Sequence, residues 1–171
     1  MRGAALAIIA LGSNLGDSPH IIVKAIERLE ALSRRPLLKS SLWKTSPLDC
    51  PPGSPPFVNA VVGLSPLPDE TPESLLAKLQ RLEQDFGRKP KMVLNEPRPL
   101  DLDLVAFGSE IRHTPGLVLP HPRAHQRRFV LQPLNEIAPD LVLPGLARPV
   151  SQLLAALPDA ESVVRIGSGH I

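Results

Sequence analysis

At 171 residues and 43% hydrophobic content the chain fits one domain, 1–171, with ample apolar material for a single core. A formal net charge of +2 with 21% charged residues argues against a nucleic-acid-binding protein, since only Arg123 to Arg128 is locally dense in cations. Cys50 stands alone, which rules out an intrachain disulfide or a cysteine zinc site, and no segment approaches the roughly twenty apolar residues of a membrane span. A soluble, cytoplasmic monomer is expected.

The apolar run Ala4 to Leu11 passes directly into a polar turn and predicts a buried strand rather than a signal sequence. Gly12-Ser13-Asn14-Leu15-Gly16-Asp17 turns the chain toward a helix, with Ser18 as N-cap and Pro19 at the first helical position. Ile22, Ala25, Ile26, Leu29 and Leu32 then share one helical stripe. The glycine turn lacks the Gly-Lys-Ser/Thr ending of a P-loop, so a plain strand-to-helix turn is the simpler account of it.

Lys39 to Thr45 and Phe57 to Leu64 predict two further strands. Between them, 46–56 holds five prolines in eleven residues and must be an extended loop, either a lid or a tolerated insertion. Thr71-Pro72 opens a second helix whose stripe is Leu75, Leu76, Leu79, Leu82 and Phe86, with Gly87 ending it. Gln80 and Glu83 share another face of that helix, where ordinary solvated surface is their plain interpretation. Arg88 to Arg98 is a basic loop interrupted by prolines.

The loop delivers the chain to Arg98-Pro99-Leu100-Asp101-Leu102-Asp103-Leu104-Val105-Ala106-Phe107-Gly108. Leucine and aspartate alternate with period two, so in a strand the leucines face the core and both aspartates face the other way. Their Cβ atoms would be roughly 7 Å apart, within reach of two magnesium ions about 3.5–4 Å apart. A solvated acidic edge is the competing account. Arg98 upstream and His121, Arg123, Arg127 and Arg128 downstream weigh toward metal-bound polyphosphate, which needs cations as well as carboxylates. Beyond Gly108, Ile111-Arg112 predicts a short hairpin strand, Leu134 to Ala138 a helical turn, Val150 to Leu157 a short helix, and 167–171 a frayed end.

The order strand, helix, strand, strand, helix, strand predicts a ferredoxin-like α+β fold (βαββαβ): an antiparallel sheet with helices on one face and short C-terminal additions.

Ala10 to Asp17, Phe57-Val58-Asn59-Ala60, Pro97 to Leu104, and Pro120-His121-Pro122-Arg123 through Arg127 and Phe129 resemble the signatures of 6-hydroxymethyl-7,8-dihydropterin pyrophosphokinase, a folate-pathway enzyme family. The resemblance runs in order from about Ala4 to about Leu157. It implies transfer of diphosphate from ATP to the hydroxymethyl group of the pterin, releasing AMP. Asp101 and Asp103 would hold two magnesium ions (Mg2+). Arg98, His121 and Arg127 would bind phosphates, with Arg88 and Lys91 reaching in from the loop. Gln80 and Glu83 would line the nucleotide side, and Leu104 would touch the adenine. Phe57 and Phe129 would sandwich the pterin, Asn59 would read its polar edge, and Thr45, Ser46 and Leu48 would close around it.

Taken by themselves, Phe57 and Phe129 are also ordinary core residues, although with four Phe, one Trp and no Tyr the chain has few other platforms for a flat ring. Asn95 and Pro90 stand where the family commonly has tryptophan and a second arginine, so loop closure would use other contacts. No nucleophile stands out, and catalysis would rest on positioning and charge neutralisation. Competing possibilities are another magnesium-dependent transferase with the same D-x-D pair, and a non-catalytic module with a structural metal.

Overall fold

The structure is a computed structural model that describes residues 5–45, 53, 55–87, 98–158 and 163–168. The chain runs β1 (Ala7–Ser13), α1 (Ser18–Glu30), β2 (Leu38–Lys39), β3 (Ser41–Thr45), β4 (Phe57–Leu64), α2 (Pro72–Asp85), β5 (Asp101–Phe107), β6 (Arg112–Thr114), β7 (Leu117–Leu119), α3 (Arg128–Ile137), α4 (Val150–Ala155) and β8 (Val163–Ser168). A short 3-10 turn, Ala124–Gln126, precedes α3.

The fold is mixed α+β around an antiparallel sheet. Its strands lie in the order β5-β1-β4-β3-β8, with β2 also paired to β4. β2 and β3 form one interrupted strand, where a continuous Lys39–Thr45 was expected. Ser40 makes the break: its N–H donates to Val61 O at 3.0 Å and its hydroxyl accepts from Val61 N–H at 2.9 Å.

β1 is buried along its whole length, and its side chains serve two cores in alternation. Ala7, Ile9 and Leu11 meet the apolar stripes of α1 (Ile22, Ala25, Ile26, Leu29) and α2 (Leu75, Leu79, Leu82). Ile8 and Ala10 meet α3 and α4 through Val130, Leu131, Leu134, Val150 and Leu153. Helices therefore cover both faces, which corrects the expectation of helices on one. The C-terminal additions are a second layer, and β8, which includes 167–168 of the segment expected to fray while 169–171 lie outside the described residues, is a fifth rank of the sheet.

Local signals account for the helices. Asp17, one residue earlier than expected, caps α1 by accepting the His20 N–H at 3.5 Å. At α2, Thr71 and Ser74 exchange side-chain-to-backbone hydrogen bonds in a capping box with Pro72 as the first helical residue. The chain leaves α2 through Gly87 at φ +92°, a conformation that glycine adopts without a Cβ clash. α3 is longer than the turn expected from Leu134 because it tolerates Pro133 inside it; burial of Val130, Leu131, Pro133 and Leu134 outweighs the missing donor.

The two-stranded β6–β7 hairpin projects from the end of β5. Arg112 ties it to α2 by donating to Glu73 at 2.7 Å and is braced by Glu110 at 2.7 Å. Among the described residues, no helix is long and apolar enough to cross a membrane.

Candidate functional site

α3 and α4 cover only part of their face of the sheet. At its uncovered end the pairing of strands lines up one row of residues: Trp43 opposite Asn59, Asn59 opposite Gly12, and Gly12 opposite Asp101. Directly opposed residues project to the same side of an antiparallel sheet, so these four side-chain positions share one face. Asp103, opposite Ala10, lies two residues further along β5 on that face. The expected alternation holds. Leu102 and Leu104 are buried in the α1/α2 core, and Asp101 and Asp103 remain partly exposed on the other side.

A register shift against Ile8 and Ile9 ends the alternation beyond Leu104, so that Val105 and Ala106 both enter the α3/α4 core. At that irregularity the Val105 carbonyl accepts the His121 N–H at 2.8 Å, which fixes His121 beside the strand that carries the acids. Burial, followed by the charges of Arg127 and Arg123, holds the His121 pKa below the ordinary value, with Asp101 pulling the other way. His121 Nδ1 accepts the Arg123 N–H at 3.2 Å, so the neutral ring carries its proton on Nε2.

Arg98 enters from the start of β5. Its guanidinium lies 5.7 Å from the centre of the Phe57 ring, and Nη1 is 4.0 Å from Asp101 Oδ2. Arg98 Nε is buried and has no hydrogen-bond partner among the described residues. A cation buried among such loose contacts suits an anionic ligand. Arg127 stands 5.4 Å over the Phe129 ring at the head of α3, giving a second cation-over-ring pair.

Asn59 is buried, and its amide orientation is set. Oδ1 accepts from Thr45 Oγ1 at 2.7 Å, and Nδ2 lies 3.5 Å from the Leu11 carbonyl. Gly12 beneath it permits a close approach: a Cβ there would lie 3.1 Å from Asn59 Nδ2, so the amide would have to give way.

On the outer edge of β5, Glu83 Oε2 accepts the Leu102 N–H at 2.7 Å, so Glu83 is more than solvated helix surface. Gln80 is exposed one turn earlier on α2. The Leu104 side chain is 4% exposed and packed in the core, so only its backbone can face a ligand. Arg128, close in sequence to the site cations, turns away and donates to the Leu157 and Pro158 carbonyls at 3.2 and 3.3 Å.

Arg98, Asp101, Asp103, His121, Arg127, Thr45, Phe57, Asn59 and Phe129 thus belong to the sheet end or the segments framing it. Ser46, Leu48, Arg88, Lys91, Pro90, Asn95 and the bulk of the 46–56 loop lie outside the described residues. Sequence reasoning passed over Gly12 and Asn14 as turn residues. The signal was their position at the end of a wholly apolar strand, where buried polar or missing side chains call for a reason.

Asp101 and Asp103 offer oxygen donors of the kind magnesium prefers. Among the described residues, no three or more His, Cys, Asp or Glu side chains are grouped so that they could hold a metal ion by themselves. Two carboxylates with oxygen donors only still fit, because magnesium is commonly held by one or two carboxylates with waters and substrate phosphates completing its shell. Acids, cations and aromatic rings gathered at one sheet end define a class: a site suited to an anionic group beside a planar one.

Comparison with known proteins narrows the class. The family described as 7,8-dihydro-6-hydroxymethylpterin-pyrophosphokinase matches residues 8–139. The chain is 38% identical over 158 residues to the 2-amino-4-hydroxy-6-hydroxymethyldihydropteridine pyrophosphokinase of Haemophilus influenzae, covering 92% of this chain and 96% of that protein. It is 40% identical over 151 residues to the protein of the same name from Pseudomonas aeruginosa, covering 88% and 90%. It is also 40% identical over 136 residues to the folic acid synthesis protein fol1 of Pneumocystis carinii, but spans only 18% of that longer protein. The fold resembles wild-type Plasmodium falciparum HPPK-DHPS, with a TM-score of 0.68 at 13% identity, over 90% of this chain and 44% of that one. The chain belongs to the 7,8-dihydro-6-hydroxymethylpterin-pyrophosphokinase family, a family of enzymes.

Proposed function

We propose that this chain transfers diphosphate from ATP to the hydroxymethyl group of 6-hydroxymethyl-7,8-dihydropterin, giving AMP and the pterin diphosphate, and that it does so as a single ferredoxin-like domain acting as a monomer. The observation that carries this reading is the row Asn59–Gly12–Asp101, which sets an amide suited to a pterin edge two strands from the carboxylates.

Asp101 and Asp103 hold two magnesium ions, which supply charge neutralisation for the triphosphate. Arg98 and Arg127 grip phosphate oxygens, and His121 donates to them through Nε2. Phe57 stacks on the pterin while the Arg98 guanidinium stands beside Asp101. Phe129 closes the opposite side. The Thr45 hydroxyl holds the Asn59 amide in register, leaving Asn59 to recognise the ring edge by hydrogen bonds. Glu83 anchors β5, so that the backbone near Leu104 can meet the adenine at the open edge, with Gln80 alongside. Arg88, Lys91, Ser46 and Leu48 complete the contacts from the two loops.

The hydroxyl then attacks the β-phosphorus in line with the departing AMP oxygen. Alignment and electrostatic stabilisation provide the rate, without a covalent enzyme intermediate.

Product analysis tests the proposal. Purified protein is incubated with ATP and magnesium, with and without the pterin. Pterin-dependent AMP is the expected result; ADP, or no turnover by folded protein, would refute it.

A further inference from the structure

Asn14 follows β1 directly and is 1% exposed. Its hydrogen bonds all go to the segments that deliver site residues. The Asn14 N–H donates to the Arg98 carbonyl at 3.1 Å, and Oδ1 accepts the Arg98 N–H at 2.9 Å. Nδ2 donates to the Pro55 carbonyl at 3.4 Å, two residues ahead of Phe57.

The side-chain contacts of Arg98 are weak: one carboxylate at 4.0 Å, one ring at 5.7 Å, and an Nε without a partner among the described residues. A long side chain so loosely held takes its direction from its main chain. That main chain is clasped on both sides, donor and acceptor, by a single residue. The same residue also ties down the approach to the ring beneath the guanidinium.

We propose that Asn14 is a positioning residue, holding the Arg98 main chain and the Pro55 approach to Phe57 so that the guanidinium stands between the Phe57 ring and Asp101. This rests on the functional reading above. A merely structural Asn14 would lower stability, and its effect on turnover would be independent of the Arg98 side chain. A positioning Asn14 acts through that side chain, so its effect disappears once the guanidinium is gone.

The experiment is a double-mutant cycle of Asn14→Ala and Arg98→Ala, read as kcat/KM for ATP and accompanied by thermal melts. Asn14→Ala is expected to lose about tenfold, as small misplacements near reacting groups do. The double variant should fall within about twofold of Arg98→Ala alone. A double variant whose loss is the product of the two single losses would overturn the proposal. Should Asn14→Ala fail to fold, Asn14→Ser carries the same cycle. A wild-type protein that makes no AMP but binds magnesium-ATP would refute the functional reading alone, and the same cycle read on the Kd of magnesium-ATP would then decide the role of Asn14. Absence of magnesium-ATP binding by the wild type would overturn both.

Discussion

Gly12→Ala would separate the stability of this sheet from its chemistry. The new Cβ would stand 3.6 Å from Phe57 Cδ1, an ordinary contact, but 3.1 Å from Asn59 Nδ2, which must retreat by a few tenths of an ångström. That amide has little freedom, since Thr45 Oγ1 holds its Oδ1 at 2.7 Å and its Nδ2 is already 3.5 Å from the Leu11 carbonyl. Overpacking costs about 1–3 kcal/mol, and replacing a strand glycine offsets about 0.5–1 kcal/mol of that through the unfolded chain. The net is a destabilisation of about 0–2.5 kcal/mol. At about 2–4 °C per kcal/mol for a chain of this size, Tm should fall by at most about 10 °C. The displaced amide should matter more to the substrate. A misplacement of 1 Å can cost about a hundredfold, so a few tenths should raise the pterin KM by about tenfold, or about 1.4 kcal/mol. Steady-state kinetics with varied pterin at saturating ATP, beside a calorimetric melt, measure both quantities. An unchanged pterin KM in a protein whose Tm has dropped would refute the reasoning, because the strain would then have gone into the fold and spared the amide.

Asp101→Asn and Asp103→Asn should each reduce turnover by about a hundredfold or more with little change in Tm; near wild-type turnover in both would remove the carboxylates from the chemistry. Glu136 on α3 accepts from Ser41 N–H at 3.0 Å, Ser41 Oγ at 2.8 Å and Trp43 Nε1 at 2.7 Å, so Glu136→Ala should destabilise the protein by about 1–3 kcal/mol in denaturant unfolding, and an unchanged midpoint would show that the helix does not need this bracket. The pKa of His121 is depressed in the folded state, so its contribution to stability is complete above the unfolded value of about 6.5 and is lost as pH falls toward the folded pKa, because the unfolded chain takes up the proton first. Denaturant midpoints compared between wild type and His121→Gln should diverge in sign-consistent fashion below about pH 6.5, and parallel profiles would show that His121 does not carry the effect.

The acid pair was legible in the sequence because strand alternation is a local property: once Leu102 and Leu104 were assigned inward, Asp101 and Asp103 could only face out together. The cap and proline signals at Thr71-Pro72 were equally local. The second helical layer was harder to see because only a turn over Leu134 to Ala138 was expected where α3 runs, yet the signal for it lay elsewhere. Ala7 to Leu11 shows no polar alternation at all, and a strand apolar at every position must be covered on both faces. Asn14 escaped notice because a polar residue after a strand usually means a turn. Its value lies in contacts with Pro55 and with Arg98, 84 residues away, and no local pattern encodes those.

The row from Asn59 through Gly12 to Asp101 also acts as a ruler. Adjacent strands are about 4.8 Å apart, so two steps across the sheet set the Asn59 position about 10 Å from that of Asp101. The gauge is made of backbone hydrogen bonds in the most buried part of the molecule, and side-chain changes at the rim cannot recalibrate it. A co-substrate pair with a longer or shorter separation would need a different strand order, which no point substitution can supply.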